Sequence, residues 1–122
     1  MSDKPALLII DDEEDIGEIL SVFLEDDFDC DCILDPTEAV KAAQEKPYQI
    51  VITDLEMPDL DGIQVINELK KAGIKAPILI SSGHDKTHPK IQSAMEAGAE
   101  GVLTKPFMDP EAVVSIVKGF LK

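Results

Sequence analysis

Four apolar runs in this chain end in residues that can do chemistry. Ala6-Leu7-Leu8-Ile9-Ile10 runs into Asp11, Asp12 and Glu13, and Ile50-Val51-Ile52-Thr53 runs into Asp54. Ile78-Leu79-Ile80-Ser81 runs into Ser82 and Gly83, and Gly101-Val102-Leu103-Thr104 into Lys105-Pro106. Carboxylates, a hydroxyl and a lysine at four strand ends are the parts of a small, metal-dependent phosphoryl-accepting site. Asp54 carries the most information. It closes a buried-type strand and opens Leu55-Glu56-Met57-Pro58-Asp59-Leu60-Asp61-Gly62, a turn rich in Pro, Asp and Gly. Three converging carboxylates, Asp11, Asp12 and Asp54, repel one another unless a cation neutralises them. All-oxygen ligands suit Mg²⁺, which takes few carboxylates and keeps several waters. The preference of acids for helix N-termini accounts for Glu13, Glu14 and Asp15. It does not account for an acid at the end of the Asp54 strand. Alone, Ser82 reads as part of an ordinary turn and Lys105 as a loop lysine before an X-Pro bond that can be cis; opposite three acids they read as phosphoryl-binding groups.

The elements that must position these residues alternate along the chain. Strands are expected at 6–10, 29–34, 49–53, 77–81 and 101–104. A helix at 14–25 buries Ile16, Ile19, Leu20, Phe23 and Leu24, which recur at i, i+3, i+4, i+7 and i+8. The second helix opens at Asp35-Pro36-Thr37-Glu38, with a cap, a proline at N1 and a glutamate at N3, and ends before Pro47. The third, 62–72, is capped by Asp61, turns Ile63, Ile66 and Leu69 inward and closes at Gly73. The fourth, 89–97, starts near Thr87 with Pro89 in its first turn and stops at Gly98. The fifth opens at Asp109-Pro110-Glu111 and buries Val113, Val117 and Phe120. Five βα units require a parallel sheet covered on both faces with right-handed crossovers. The expected fold is α/β, flavodoxin-like and doubly wound, with strand order 2-1-3-4-5, in which ligands meet the carboxyl ends of the strands at the topological switch point. The second strand is expected at an edge.

The 122 residues suit one domain, expected to span 1–122. A formal net charge of −14 disfavours nucleic acid and anionic membranes as direct partners. No apolar run is long enough to span a bilayer. The opening Met1-Ser2-Asp3-Lys4-Pro5 does not read as a signal peptide, so a cytoplasmic location is expected. Cys30 and Cys32 alternate within a strand, about 6.6–7 Å apart, at or beyond the reach of a disulfide. They are expected buried and reduced. His84 and His88 are spaced i,i+4, but Pro89 and the loop context make them solvated loop histidines rather than a helical metal pair.

Taken in order, Asp11-Asp12, the Asp54–Gly62 turn, Ser82 after Pro77-Ile78-Leu79-Ile80-Ser81, and Lys105-Pro106-Phe107 resemble the receiver domain of two-component response regulators over essentially the whole chain. The resemblance implies that Asp54 takes a phosphoryl group from the phosphohistidine of a histidine kinase or histidine phosphotransfer protein. It implies Mg²⁺ bound by Asp12, Asp54 and the Glu56 carbonyl oxygen, with Asp11 acting through water. Ser82 and Lys105 then bind phosphoryl oxygens, and signal leaves through the helix 4–strand 5–helix 5 face to an output protein or effector domain. Such a domain is a switch, not an enzyme beyond its own phosphorylation and dephosphorylation. Glu56 and His84 fall where the family tunes phosphate lifetime. Val102 stands where the family often has an aromatic residue, so a switch through a turning ring is not implied and the change is expected mostly in backbone. Two other readings compete with this one. A degenerate receiver acting as a constitutive protein-binding module has only Val102 in its favour. A small aspartyl-phosphate phosphatase would need Asp-x-Asp after the first strand and a larger chain.

Overall fold

The structure, a computed structural model, describes residues 3–58 and 60–121; Met1, Ser2, Lys122 and Asp59 of the turn motif lie outside the described residues. The element order is β1 (Ala6–Ile10), α1 (Glu14–Leu24), β2 (Asp29–Ile33), a 3-10 turn (Pro36–Glu38), α2 (Ala39–Glu45), β3 (Ile50–Asp54), α3 (Gly62–Lys71), β4 (Ile78–Ser82), α4 (Pro89–Ala97), β5 (Gly101–Thr104) and α5 (Pro110–Lys118). The strands form one parallel sheet in the order β2-β1-β3-β4-β5.

Alternation along each strand divides the core into two layers. Leu8, Ile10, Val51, Ile78 and Ile80 face α2, α3 and α4, where Ala43, Val65, Ile66, Leu69, Ile91 and Ala94 meet them. Leu7, Ile9, Ile50, Ile52, Leu79 and Leu103 face α1 and α5, against Leu20, Leu24, Val113 and Val117. Burying each such Leu, Ile or Val contributes about 1.5–3 kcal/mol, which pins both register and face.

The details depart from expectation in instructive places. β3 and β4 each sit one residue further along than the apolar runs suggest, because Asp54 pairs with Ser81 and Ser82 with Thr104 in the ladders. The second helix starts as a 3-10 turn: the Asp35 carboxylate accepts from the Thr37 N–H at 2.9 Å and the Thr37 hydroxyl at 2.6 Å, while the Glu38 N–H donates to the Asp35 carbonyl. A reciprocal capping box occurs instead at α3, between Asp61 and Gln64. Val65 is fully buried on α3 and Ile63 only half-buried, and on α1 Ile19 is exposed while Gly17 is buried. Gly17 is covered because an added Cβ would lie 2.7 Å from Cys32 Sγ. The cysteines are free but not both buried: β2 is the sheet edge, α1 covers it incompletely, and Cys30 is half-buried while Cys32 is exposed. α4 spans Pro89–Ala97 as expected, with His88 as its cap. No helix among the described residues is long and apolar enough to cross a membrane.

Candidate functional site

Asp11 continues the Leu7–Ile9 row of β1, Asp54 the Ile50–Ile52 row of β3, and Lys105 the row of Leu103 on β5. All three rows face α1 and α5, and at the carboxyl end of the sheet their side chains converge. Lys105 Nζ lies 3.2 Å from Asp54 Oδ1 and 3.4 Å from Asp11 Oδ2. One carboxylate oxygen from each of Asp11, Asp12 and Asp54 lies within 4.8 Å of the others. Asp11 and Asp54 are 2% and 6% exposed, whereas Asp12 is open to solvent. The donors are all oxygen, the charge is threefold negative against one ammonium, and one member faces solvent. That set fits a hard divalent cation.

Backbone bonds hold the strand ends at this spacing. Leu55 N–H donates to the Ser81 carbonyl at 3.1 Å and Lys105 N–H to the Ser82 carbonyl at 2.8 Å. Asp11 Oδ1 accepts the Glu13 N–H at 2.9 Å, which leaves Oδ2 toward the lysine. The Lys105–Pro106 peptide is cis. Gly62 lets α3 start close behind the acceptor strand: its N–H donates to the Leu55 carbonyl at 2.8 Å, and an added Cβ would lie 2.5 Å from the Asp54 carbonyl oxygen.

Electrostatics follow from burial. Asp54 is pushed up to about 6, first by burial and then by the charge of Asp11, against the pull of Lys105. Burial likewise raises Asp11, with the Glu13 N–H and Lys105 opposing it. Burial works to lower Lys105, but the charges of Asp54 and Asp11 outweigh it and hold the ammonium above its ordinary value. A carboxylate raised by burial and by a neighbouring acid gains from any added positive charge.

Not every predicted residue enters this cluster. Ser82 is buried at the end of β4, and its Oγ accepts the His84 N–H at 3.1 Å. The Glu56 side chain bonds His84 Nε2, with Lys90 Nζ 3.5 Å from the same oxygen. The His84 hydrogen bond holds the Glu56 carboxyl below the usual range. Val102 is half-buried against the core beneath α2, α3 and α4. The histidines are not simply solvated: their rings stack at 3.7 Å, and His88 Nδ1 accepts the Lys90 N–H. The proline at position 89 was the available signal, since Pro at N1 marks the preceding residue as the cap, as it does for Asp35 and Asp109.

A doubly wound parallel sheet ordered 2-1-3-4-5, with acids and a lysine gathered at its carboxyl edge, defines a flavodoxin-like α/β domain with its site at the switch point. The chain belongs to the response regulator receiver domain family, whose model matches residues 7–118. It is 34% identical over 117 residues to the alkaline phosphatase synthesis transcriptional regulatory protein PhoP of Bacillus subtilis, covering 95% of this chain and 48% of that protein. It is 33% identical over 125 residues to the response regulator Rre1 of Synechocystis, covering 99% of this chain and 53% of that protein. The chain thus spans about half the length of these curated relatives. Among solved structures, the chemotaxis protein CheY4 of Vibrio cholerae superposes with a TM-score of 0.86 at 27% identity, over 97% of this chain and 99% of that one. The receiver domain of Francisella response regulator 1452 gives 0.83 at 30% identity, over 96% of each chain. The protein is a receiver domain of two-component signalling.

Proposed function

We propose that Asp54 is the phosphoacceptor of this receiver, that Mg²⁺ is its cofactor, and that the donor is the phosphohistidine of a kinase or phosphotransfer protein. The observation that carries this is the cluster itself: three carboxylates within 4.8 Å of one another, with Lys105 bonded to both buried members. Asp12, Asp54 and the Glu56 carbonyl oxygen would hold the ion directly, and Asp11 through a bound water. Bound there, it supplies positive charge that neutralises the acids and the incoming phosphoryl oxygens.

The rest is positioning by the chain's own residues. An Asp54 carboxylate oxygen forms the new O–P bond as the donor's P–N bond breaks, leaving an imidazole on the donor and an acyl phosphate on Asp54. Lys105, already at Asp54, pairs with a phosphoryl oxygen. Ser82 accepts from the His84 N–H and keeps its own O–H to donate to another. Both groups lie at strand ends that lead into the connections before α4 and α5, so drawing them toward Asp54 moves the α4–β5–α5 face, where an output partner or effector domain would read the change. Lys105 bonded to the acceptor, with a buried hydroxyl at the end of the adjacent strand, favours this over a constitutive binding module, which needs neither. Mass spectrometry after acetyl phosphate and Mg²⁺ is expected to show one added phosphoryl group, absent in Asp54→Asn. Full labelling of that variant would overturn the assignment.

A further inference from the structure

Two histidines stack at the edge of the acceptor site, with ring centroids 3.7 Å apart and planes 17° from parallel. Each ring has a second engagement. His84 Nε2 bonds Glu56, two residues past Asp54, and the His84 N–H donates to Ser82 Oγ. His88 Nδ1 accepts the Lys90 N–H at 3.1 Å as the cap of α4. Lys90 Nζ reaches the same Glu56 oxygen at 3.5 Å and closes the circuit.

We propose that His88 is a positioning residue for the acceptor site: its ring holds the His84 ring, and His84 so held ties Glu56 across the gap between the β3–α3 and β4–α4 loops. Capping alone does not call for a histidine, since Ser, Thr, Asp and Asn cap helices better. A ring at this position has its use in the stack. The Glu56–His84 pair needs that support. Its side chains are 51% and 33% exposed, and an isolated pair at such exposure contributes little. An aromatic neighbour adds a contact that water does not compete for. The tie restricts entry of water to a phosphoryl group on Asp54 and keeps a donor on Ser82 Oγ. This rests on Asp54 being the acceptor and goes beyond it, by making the first turn of α4 part of what sets the lifetime of the acyl phosphate.

Two substitutions separate the roles of His88. His88→Asn keeps a capping side chain and loses the ring; His88→Phe keeps a ring and loses the cap. In the unphosphorylated protein, NMR is expected to show the His84 ring protons losing their upfield ring-current shift in His88→Asn and keeping it in His88→Phe. After charging with acetyl phosphate and Mg²⁺, His88→Asn is expected to shorten the acyl-phosphate lifetime roughly 2- to 10-fold, the range an aromatic pair's contribution gives. His88→Phe restores it, and His88→Asn adds nothing in a His84→Ala background. A wild-type lifetime in His88→Asn, or the same factor persisting without His84, would overturn the proposal. A wild-type protein that takes up no phosphoryl group would sink the acceptor reading instead. In that case unmoved His84 ring resonances in His88→Asn would overturn the positioning role and shifted ones would support it.

Discussion

Replacing Asp54 with asparagine is expected to stabilise the domain when no divalent cation is present. The carboxyl titrates at about 6 in the fold against an ordinary 3.8, with burial the larger cause and the charge of Asp11 the second. An acid with a raised folded-state pKa binds more protons folded than unfolded between those two values. Stability therefore falls as pH rises through that window, and the full penalty is present above about pH 6. Roughly two pKa units at 1.36 kcal/mol each make the penalty about 3 kcal/mol at neutral pH. Asparagine keeps the shape and an oxygen for Lys105 to bond while removing the charge. For a domain of this size the gain corresponds to about 10 °C in Tm. Circular dichroism melts of wild type and Asp54→Asn in a chelator at pH 7.5 and pH 4 check this: the variant is more stable at pH 7.5, and the gap closes toward pH 4. Mg²⁺ at ~100 times its Kd would add roughly 2.7 kcal/mol to the wild type, narrowing the gap from the other side. A variant less stable than wild type in chelator at neutral pH, or a gap indifferent to pH, refutes the reasoning.

Three further outcomes follow from the same geometry. Lys105→Met strands two buried acids and is expected to lose about 2–3 kcal/mol in urea melts, less than a fully buried pair because the lysine side chain is 19% exposed; Asp54→Asn in the same chain recovers part of the loss. Gly62→Ala drives a methyl group to 2.5 Å from the Asp54 carbonyl and is expected to cost about 1–3 kcal/mol while lowering phosphoryl uptake, so an unperturbed melt would show that the loop yields freely. Amide NMR shifts on adding a beryllofluoride mimic are expected to concentrate around residues 82–107, and shifts confined to 14–45 would contradict signal output through α4, β5 and α5.

The order of elements and the identity of the acids were legible because they rest on local patterns. Apolar runs of five with helical periodicity between them specify alternating βα units, and parallel sheets place chemistry at strand ends. Asp11, Asp54 and Lys105 could be named as partners across 94 and 51 residues of chain because the strand order puts their ends side by side. Local chemistry bounded the helices as expected, at Gly73, whose φ is +84° just past the end of α3, and at Asp109, whose carboxylate caps the start of α5.

Tertiary packing decided the rest. The final residues of β3 and β4 joined their strands because neighbouring strands offered ladder partners, which no single-strand pattern contains. Cys32 is exposed because β2 lies at the sheet edge, although its position in the strand's apolar alternation suggests burial. Glu56, His84, His88 and Lys90 come from two loops and the start of a helix, and each has an unremarkable local context. Their circuit exists because the ends of β3 and β4 are adjacent and α4 begins beside them. Spacing along a chain can name side chains that share a strand end. Which of them turn toward one another, as Glu56 and His84 do, depends on contacts made only once the sheet has assembled.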